Sequence, residues 1–301
     1  MNTGLDGHRA SGPVGGFEEF SRQRWASTGA RPGGRPRLVL GPGSVPADEL
    51  AEIYLPLADL VWRRAIGMPG GRPFVIGVTG SVAVGKSTTA AALRTLLEGR
   101  PGVPTVELVS TDNFLFPNAV LQARGILGRK GFPETFDHRR MSEALAAIGS
   151  GRTDVSIPVY SHQAYDVLPG RHQVIRRPTI LILEGVNVLQ DGAGTGPPAG
   201  PEAGSACDLS IYVDAAEEDI ARWFEARVLR LVAEATAGSD GFFGHLASLP
   251  RQELEALVRW TWTDVNRVNL RDHILPTRQL ADIVLCNDGD HRVERVLVRM
   301  D

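Results

Sequence analysis

"RPFVIGVTGSVAVGKSTTAAALRTLLEG", residues 72–99, decides the fold. A short apolar run ends in glycine, which predicts a buried strand entering a tight turn. The following "GKSTTAAALRTLLEG" predicts a helix, with Gly99 as its C-terminal stop. Gly80, Gly85, Lys86 and Ser87 complete the pattern G-x-x-x-x-G-K-[ST]. Glycines in such a turn let backbone N–H groups close around a diphosphate, and the helix adds its positive N-terminal end. The cradle therefore runs from Gly80 through Ser81, Val82, Ala83, Val84 and Gly85 to Lys86, Ser87 and Thr88. Lys86 is the residue to reach the β- and γ-phosphates, and the Ser87 hydroxyl is placed to hold Mg²⁺. This reads as a site for a nucleoside triphosphate.

Outward from that stretch, short apolar runs recur at 105–111, 179–185, 208–214 and 281–287, with helical spacing around 141–148, 217–236 and 251–273. Strands that lack internal polar alternation and alternate with helices imply an α/β fold, a mostly parallel central sheet with helices on both faces. The last strand and "RVERVLVR" read as an edge hairpin. Residues 1–16 read as a disordered tail, and 17–301 as one domain with an N-terminal helical extension over about 17–66. Within that extension "ARPGGRPRLVLGPGS" reads as an irregular linker, whereas Leu50, Ile53, Leu57 and Leu60 share one helical face. The stretch 190–206 is low-complexity and reads as a surface loop. Trp260 and Trp262 lie on an amphipathic helix and are expected in the core.

Composition narrows the class. No apolar run approaches the roughly 18 residues of a membrane span, and the N-terminus lacks the apolar stretch of a secretory signal. A net charge of −3 makes no electrostatic case for nucleic acid or membrane. Two cysteines, Cys207 and Cys286, are too few for a disulfide framework or a zinc cage, so a reducing cytoplasm is expected. Of 32 basic residues only Lys86 and Lys130 are lysines. In an arginine-rich chain, a surviving lysine marks a place where a compact point charge serves and a planar fork does not.

In open α/β sheets ligands gather at the carboxyl ends of strands. Asp112 follows "VELVS" and Glu184 follows "ILIL", so both carboxylates fall at strand tips. Two carboxylates beside a phosphate cradle repel the phosphates unless a metal or an acceptor hydroxyl intervenes. One can take a proton from that hydroxyl while the other orders Mg²⁺ through water. A guanine-reading N-K-x-D stretch is absent, and so are motor-like sensor segments. What remains is a kinase acting on a small hydroxyl compound. A catalytically silent nucleotide-binding regulator is the contrasting class, and it has no physical need for a base beside the γ-phosphate.

Further stretches, "GSVAVGKSTTAAAL", "STDNFLFPN", "RKGFPETFD", "PVYSHQAYDVLPG", "ILILEGVNVLQ" and "HILPTR", resemble the type I bacterial pantothenate kinases, P-loop kinases related to uridine kinase and phosphoribulokinase. With "AEIYLPLADL" upstream, the similarity runs from about residue 17 to the end. The resemblance implies an ATP- and Mg²⁺-dependent homodimer that phosphorylates pantothenate, the committing step towards coenzyme A. It makes Asp112 the general base, matches Tyr160, His162, Tyr165 and Asn266 to pantothenate contacts, and matches Arg227 to an ATP-phosphate contact. Lys130, inside "RKGFPETFD", is a candidate substrate or phosphate contact on its lysine identity. A Tyr-x-His-x-x-Tyr run suits an acceptor with a carboxylate, an amide and two hydroxyls, because it offers several neutral hydrogen-bonding groups.

The chain also departs from the family pattern. The helix expected to roof the acceptor carries Phe224, Val228 and Leu231 where aromatics including a tyrosine are usual. Ala91 stands where relatives carry an arginine associated with coenzyme A, their feedback inhibitor, so weak inhibition is expected. The linker before "RPFV" is short. These changes fall on the acceptor side, which keeps a second expectation open: a kinase retuned for a pantothenate derivative, a nucleoside or a sugar phosphate.

Overall fold

Every residue of the segment Phe74–Gly80 is buried, and this strand lies at the centre of the parallel part of the sheet. The computed structural model describes residues 16–29, 45–68, 71–190, 207–235 and 241–300. The predicted tail (apart from Gly16), the linker 30–44 and the loop residues 191–206 lie outside the described residues.

In chain order the described strands are β1 (Phe17–Ser21), β2 (Phe74–Gly80), β3 (Val106–Ser110), β4 (Val155–Ser161), β5 (Asp166–Ile175), β6 (Ile180–Glu184), β7 (Leu209–Asp214), β8 (Ile283–Asn287) and β9 (Val293–Arg299). Seven of them form one sheet in the order β1-β9-β8-β7-β2-β6-β3. The pairings from β8 through β7, β2 and β6 to β3 are parallel, while β8–β9 and β9–β1 are antiparallel. The interior strands are rich in Val, Ile and Leu and buried almost throughout because both of their faces are covered. Helix Lys86–Leu97 contributes Ala90, Leu93 and Leu97 to that cover, all fully buried. Helix Leu55–Ile66 adds Leu57, Ala58 and Val61; of the predicted face Leu50, Ile53 and Leu57 are buried, and Leu60 packs partly buried against the same core. A separate antiparallel hairpin, β4–β5, carries a register shift between Pro158 and Tyr160.

Three expectations change. The segment 17–66 does not begin as helix: Phe17–Ser21 is a strand paired with β9, from Phe17 against Arg299 to Ser21 against Arg295. The β8–β9 hairpin therefore lies one strand inside the edge rather than at it. The 251–273 helix is α-helical over Arg251–Trp260, then passes through π-helical turns at Thr261–Asn266 and Leu270–Ile274. Trp262 is buried as expected, but Trp260 is 52% exposed. Two residues apart on a helix, the indoles point about 200° from one another, so one inward stripe cannot hold both.

Strand β2 sits between β6 and β7, so the chain's crossovers diverge on its two sides and open a crevice at its carboxyl end. The tips of β3 and β6 meet there. Gly185, directly after β6, allows this close approach. A Cβ on it would lie 1.8 Å from Thr111 Oγ1, and Thr111 is fully buried just before Asp112. We expect Gly185→Ala to lose about 1–3 kcal/mol of stability by forced overpacking, read as a lower urea midpoint with an unchanged m-value.

Candidate active site

The turn after β2 is held open by its backbone. Gly80 has φ +139°, and a Cβ there would lie 2.3 Å from the Val213 carbonyl oxygen, so a side chain is excluded. Ala83 takes φ +59°, and Gly85 takes φ +108° as it starts helix Lys86–Leu97. Lys86 lies 9% exposed and its Nζ donates to the Ser81 carbonyl at 2.7 Å. A cavity of about 880 Å³ opens on this loop, lined by Gly85, Lys86, Ser87 and Thr88, with Arg227 from helix Glu217–Glu234 opposite them. The cradle, its lysine and the distant arginine thus converge on one volume able to hold a nucleotide.

The two strand-tip carboxylates converge on the same lysine. Burial pulls the Lys86 ammonium below its ordinary pKa, Glu184 and Asp112 oppose that shift, and Arg227 adds to it. Glu184, buried at the end of β6, is pushed above the usual carboxylate range by desolvation. The Lys86 charge opposes that rise, Asp112 adds to it, and the Ser110 side chain hydrogen-bonds the carboxylate. Asp112 follows β3 in the 3₁₀ turn Thr111–Phe114, its N–H donating to Ser110 Oγ at 3.3 Å.

A second group assembles beside Asp112. Lys130 Nζ donates to Asn118 Oδ1 at 2.7 Å and to the Tyr165 carbonyl at 2.5 Å. The ammonium lies 4.3 Å from the centre of the Tyr165 ring and 4.9 Å from that of Tyr160. Tyr160 and Tyr165 meet edge to face at 6.4 Å, and His162, exposed at the hairpin turn, meets Tyr160 at 5.3 Å. Desolvation raises the phenol pKa of both tyrosines, and the Asp112 charge raises them further. Both therefore remain neutral donors near neutral pH. The hairpin is pinned to the sheet by the Asn113 side chain, whose Oδ1 accepts the Tyr160 N–H at 2.8 Å.

This arrangement is a cradle for phosphate beside a carboxylate and a pocket of neutral donors, as a small-molecule kinase requires. The profile of the Phosphoribulokinase / Uridine kinase family matches residues 75–230. The chain belongs to that family. Pantothenate kinase from Myxococcus xanthus is 44% identical over 268 residues, covering 84% of each chain. Pantothenate kinase from Sorangium cellulosum is 46% identical over 272 residues, covering 84% of this chain and 85% of the relative. Among solved structures, the YGR205w protein superposes with a TM-score of 0.60 at 17% identity, covering 84% of this chain and 99% of its own. A Silicibacter sp. TM1040 protein named for a fructose transport system kinase gives 0.55 at 23% identity, covering 71% and 92%. These two show the fold.

Not every expected residue joins the two groups directly. Val82 packs against the core rather than lining the cavity, so it shapes the loop through its backbone. Phe224 lies against Trp262, ring centres 6.0 Å apart, at the seam of two apolar clusters, and Val228 packs on one of them. Asn266 ends the π-turn Thr261–Asn266, three residues before Asn269, whose Nδ2 donates to the Gly131 carbonyl at 2.8 Å. Sequence reading missed Asn269, Asn118, Asp166, Trp223 and Phe242. Asp166 carried a signal in "SHQAYD": its Oδ1 accepts the Asn118 N–H at 2.9 Å and so fixes the partner of Lys130. Phe242 had none, and it stacks on Tyr165 at 4.3 Å across a long sequence separation.

The residues present also suit a hard cation. Among the described residues no three His, Cys, Asp or Glu side chains converge to hold a metal. Mg²⁺ needs fewer, because it keeps several waters and takes one or two protein oxygens together with substrate phosphates. The Ser87 hydroxyl in the cavity and the buried Glu184 carboxylate are oxygen donors of that kind.

Burial moves the Lys130 pKa down to about 8, against the opposing charges of Asp166 and Asp112. The unfolded chain carries that lysine at its ordinary 10.5. Between these values the unfolded state binds more protons, so stability contributed through this residue rises with pH. We expect wild type to gain on Lys130→Met as pH increases from 8 to 10, measured by urea unfolding of both proteins; a flat difference would remove this burial as the cause.

Proposed function

We propose that the protein transfers the γ-phosphoryl group of ATP to the primary hydroxyl of pantothenate, giving 4′-phosphopantothenate and ADP. The observation that carries this reading is the convergence of Asp112 with Lys86 and Glu184 on one side and Lys130, Tyr160 and Tyr165 on the other. The relatives' shared name supplies the acceptor.

In this mechanism the cradle Gly80–Thr88 holds the phosphates by backbone N–H groups, and Lys86 offsets charge on the β- and γ-phosphates. Asp112 accepts the proton of the acceptor hydroxyl as its oxygen attacks the γ-phosphorus and the bond to the ADP oxygen breaks. Arg227 reaches from its helix to the spreading charge on the transferred group. Tyr160, His162 and Tyr165 orient the acceptor by hydrogen bonds, Lys130 meets one of its oxygens, and Asn266 and Phe224 complete the wall. Ser87, with Glu184 through water, would hold Mg²⁺. Held there, the ion would supply positive charge to offset that of the phosphate oxygens.

The enzyme is proposed to act in the cytoplasm as a homodimer. Among the described residues no helix is long and apolar enough to cross a membrane.

Asp112→Asn should bind ATP as wild type does but lose turnover by about 10²-fold or more, the scale of a positioned base. ADP release over a panel of alcohols tests the acceptor. A response to pantothenate supports this reading, and a stronger response to a nucleoside or sugar phosphate replaces it with the alternative kinase. Ala91 is exposed on the helix after the cradle and offers no charge to an anion. Coenzyme A is therefore expected to inhibit weakly; strong inhibition at low concentration in the same ADP-release measurement would contradict that.

A further inference from the structure

Among the described residues two acidic side chains are buried, Glu184 and Glu49, and the phosphate chemistry uses only the first. Glu49 is 3% exposed and borders the nucleotide cavity. Its Oε1 accepts the Val293 N–H at 2.9 Å. Its Oε2 has no hydrogen-bond partner and lies 3.5 Å from Arg292 Nε and 4.0 Å from an Arg22 nitrogen. Burying a carboxylate costs several kcal/mol before its partners repay it. A tether between a helix and a strand can be built from apolar side chains without that cost.

What this carboxylate holds is the turn between β8 and β9. Inside the turn, Asp288 Oδ1 accepts the N–H groups of Asp290 and Arg292, both at 2.9 Å. His291 sits in the left-handed region with φ +61°. Two side chains of the turn then grip successive carbonyls of the phosphate cradle. Asn287 Nδ2 donates to Val84 O at 3.0 Å, and His291 Nε2 donates to Ala83 O at 3.0 Å. On its flank the imidazole stacks on Trp223 with ring centres 3.4 Å apart. Ala83 is itself left-handed without being glycine, a conformation that persists only where neighbours hold it.

We propose that Glu49 is a positioning residue for the phosphate cradle: through Arg292 and Val293 it fixes the β8–β9 turn, whose Asn287 and His291 hold the Ala83 and Val84 carbonyls outward. With those carbonyls turned away, the loop's N–H groups face the ligand. The inference rests on reading the cavity as the nucleotide site.

The test is the full-length Glu49→Gln protein, which keeps an acceptor for the Val293 N–H and removes the charge facing Arg292. Its affinity for a non-hydrolysable ATP analogue with Mg²⁺, measured by titration calorimetry, is expected to fall by about tenfold, the scale of one charge-assisted contact. In steady state the loss should fall on the ATP KM rather than on kcat or the acceptor KM, a split that a general loss of stability does not produce. In an Asn287→Ala/His291→Ala background the same substitution should change affinity little, because its route to the cradle is already cut. Should Glu49→Gln fail to fold, Arg292→Gln, which also breaks the Asp48 pair, is read by the same cycle: its loss of affinity should vanish in the Asn287→Ala/His291→Ala background, and a loss that persists there overturns the proposal. Unchanged affinity in a folded variant, or an equal loss in the double-alanine background, overturns the proposal. A wild-type protein that binds no nucleotide overturns the reading of the cavity as well.

Discussion

The buried ammonium of Lys86 is the interaction on which the site depends. A lysine at 9% exposure pays heavily for desolvation, and the Ser81 carbonyl, Glu184 and Asp112 offset part of that cost. Those three partners come from the ends of β2, β6 and β3, which neighbour one another in the sheet. The parallel register brings the tips level, and the charge makes their closeness favourable where two carboxylates alone would repel. Removing the ammonium would leave Glu184 buried without its counter-charge, a larger loss than one hydrogen bond. In the proposed function the same cation meets the incoming triphosphate, so one charge serves both the fold of the loop and the phosphates.

The two lysines of an otherwise arginine-rich chain fit one physical requirement. Lys86 points a single Nζ at a carbonyl 2.7 Å away, and Lys130 points its own at two oxygens within 2.7 Å while lying between two phenol rings. A guanidinium spreads its donors over a planar fork and cannot enter either place without displacing a wall. Lysine scarcity was therefore a legible signal, because composition removed the usual background against which a lysine says little.

What else was legible follows from how local the determinants are. The strand Phe74–Gly80, the helix after it and the carboxylates at the tips of β3 and β6 are specified by runs of a few adjacent residues. Strand β1 was not legible, because only Phe17 of its five residues is buried and its pairing partner lies at the opposite end of the chain. The β4–β5 hairpin hid for a related reason: β5 is mostly exposed and shows no apolar run. Trp260 misled because it stands two residues from buried Trp262, on the opposite side of the helix, and an apolar ring alone does not say which side faces inward. His291 and Phe242 gave no signal at all. Their partners, Ala83 and Tyr165, are brought to them by topology alone.

The departures on the roofing helix take on a different weight once packing is known. Phe224 and Val228 sit where the main core meets the small cluster of Val232, Leu246, Leu254 and Val258. Aliphatic residues there satisfy a core that a phenol would have to enter with its hydroxyl partnered. The aromatic surface beside Tyr165 comes instead from Phe242, stacked nearly parallel to it on a separate short helix. In the proposed function polar recognition then concentrates in Lys130, Tyr160 and Tyr165: the Tyr160 N–H is tied to Asn113, next to Asp112, and Lys130 is tied to Asn118, whose N–H donates to Asp166. In the proposed reaction the acceptor is thereby oriented by a hairpin that Asn113 ties to the turn carrying Asp112, so a change on helix Glu217–Glu234 alters the room for the acceptor before it disturbs the angle of its hydroxyl.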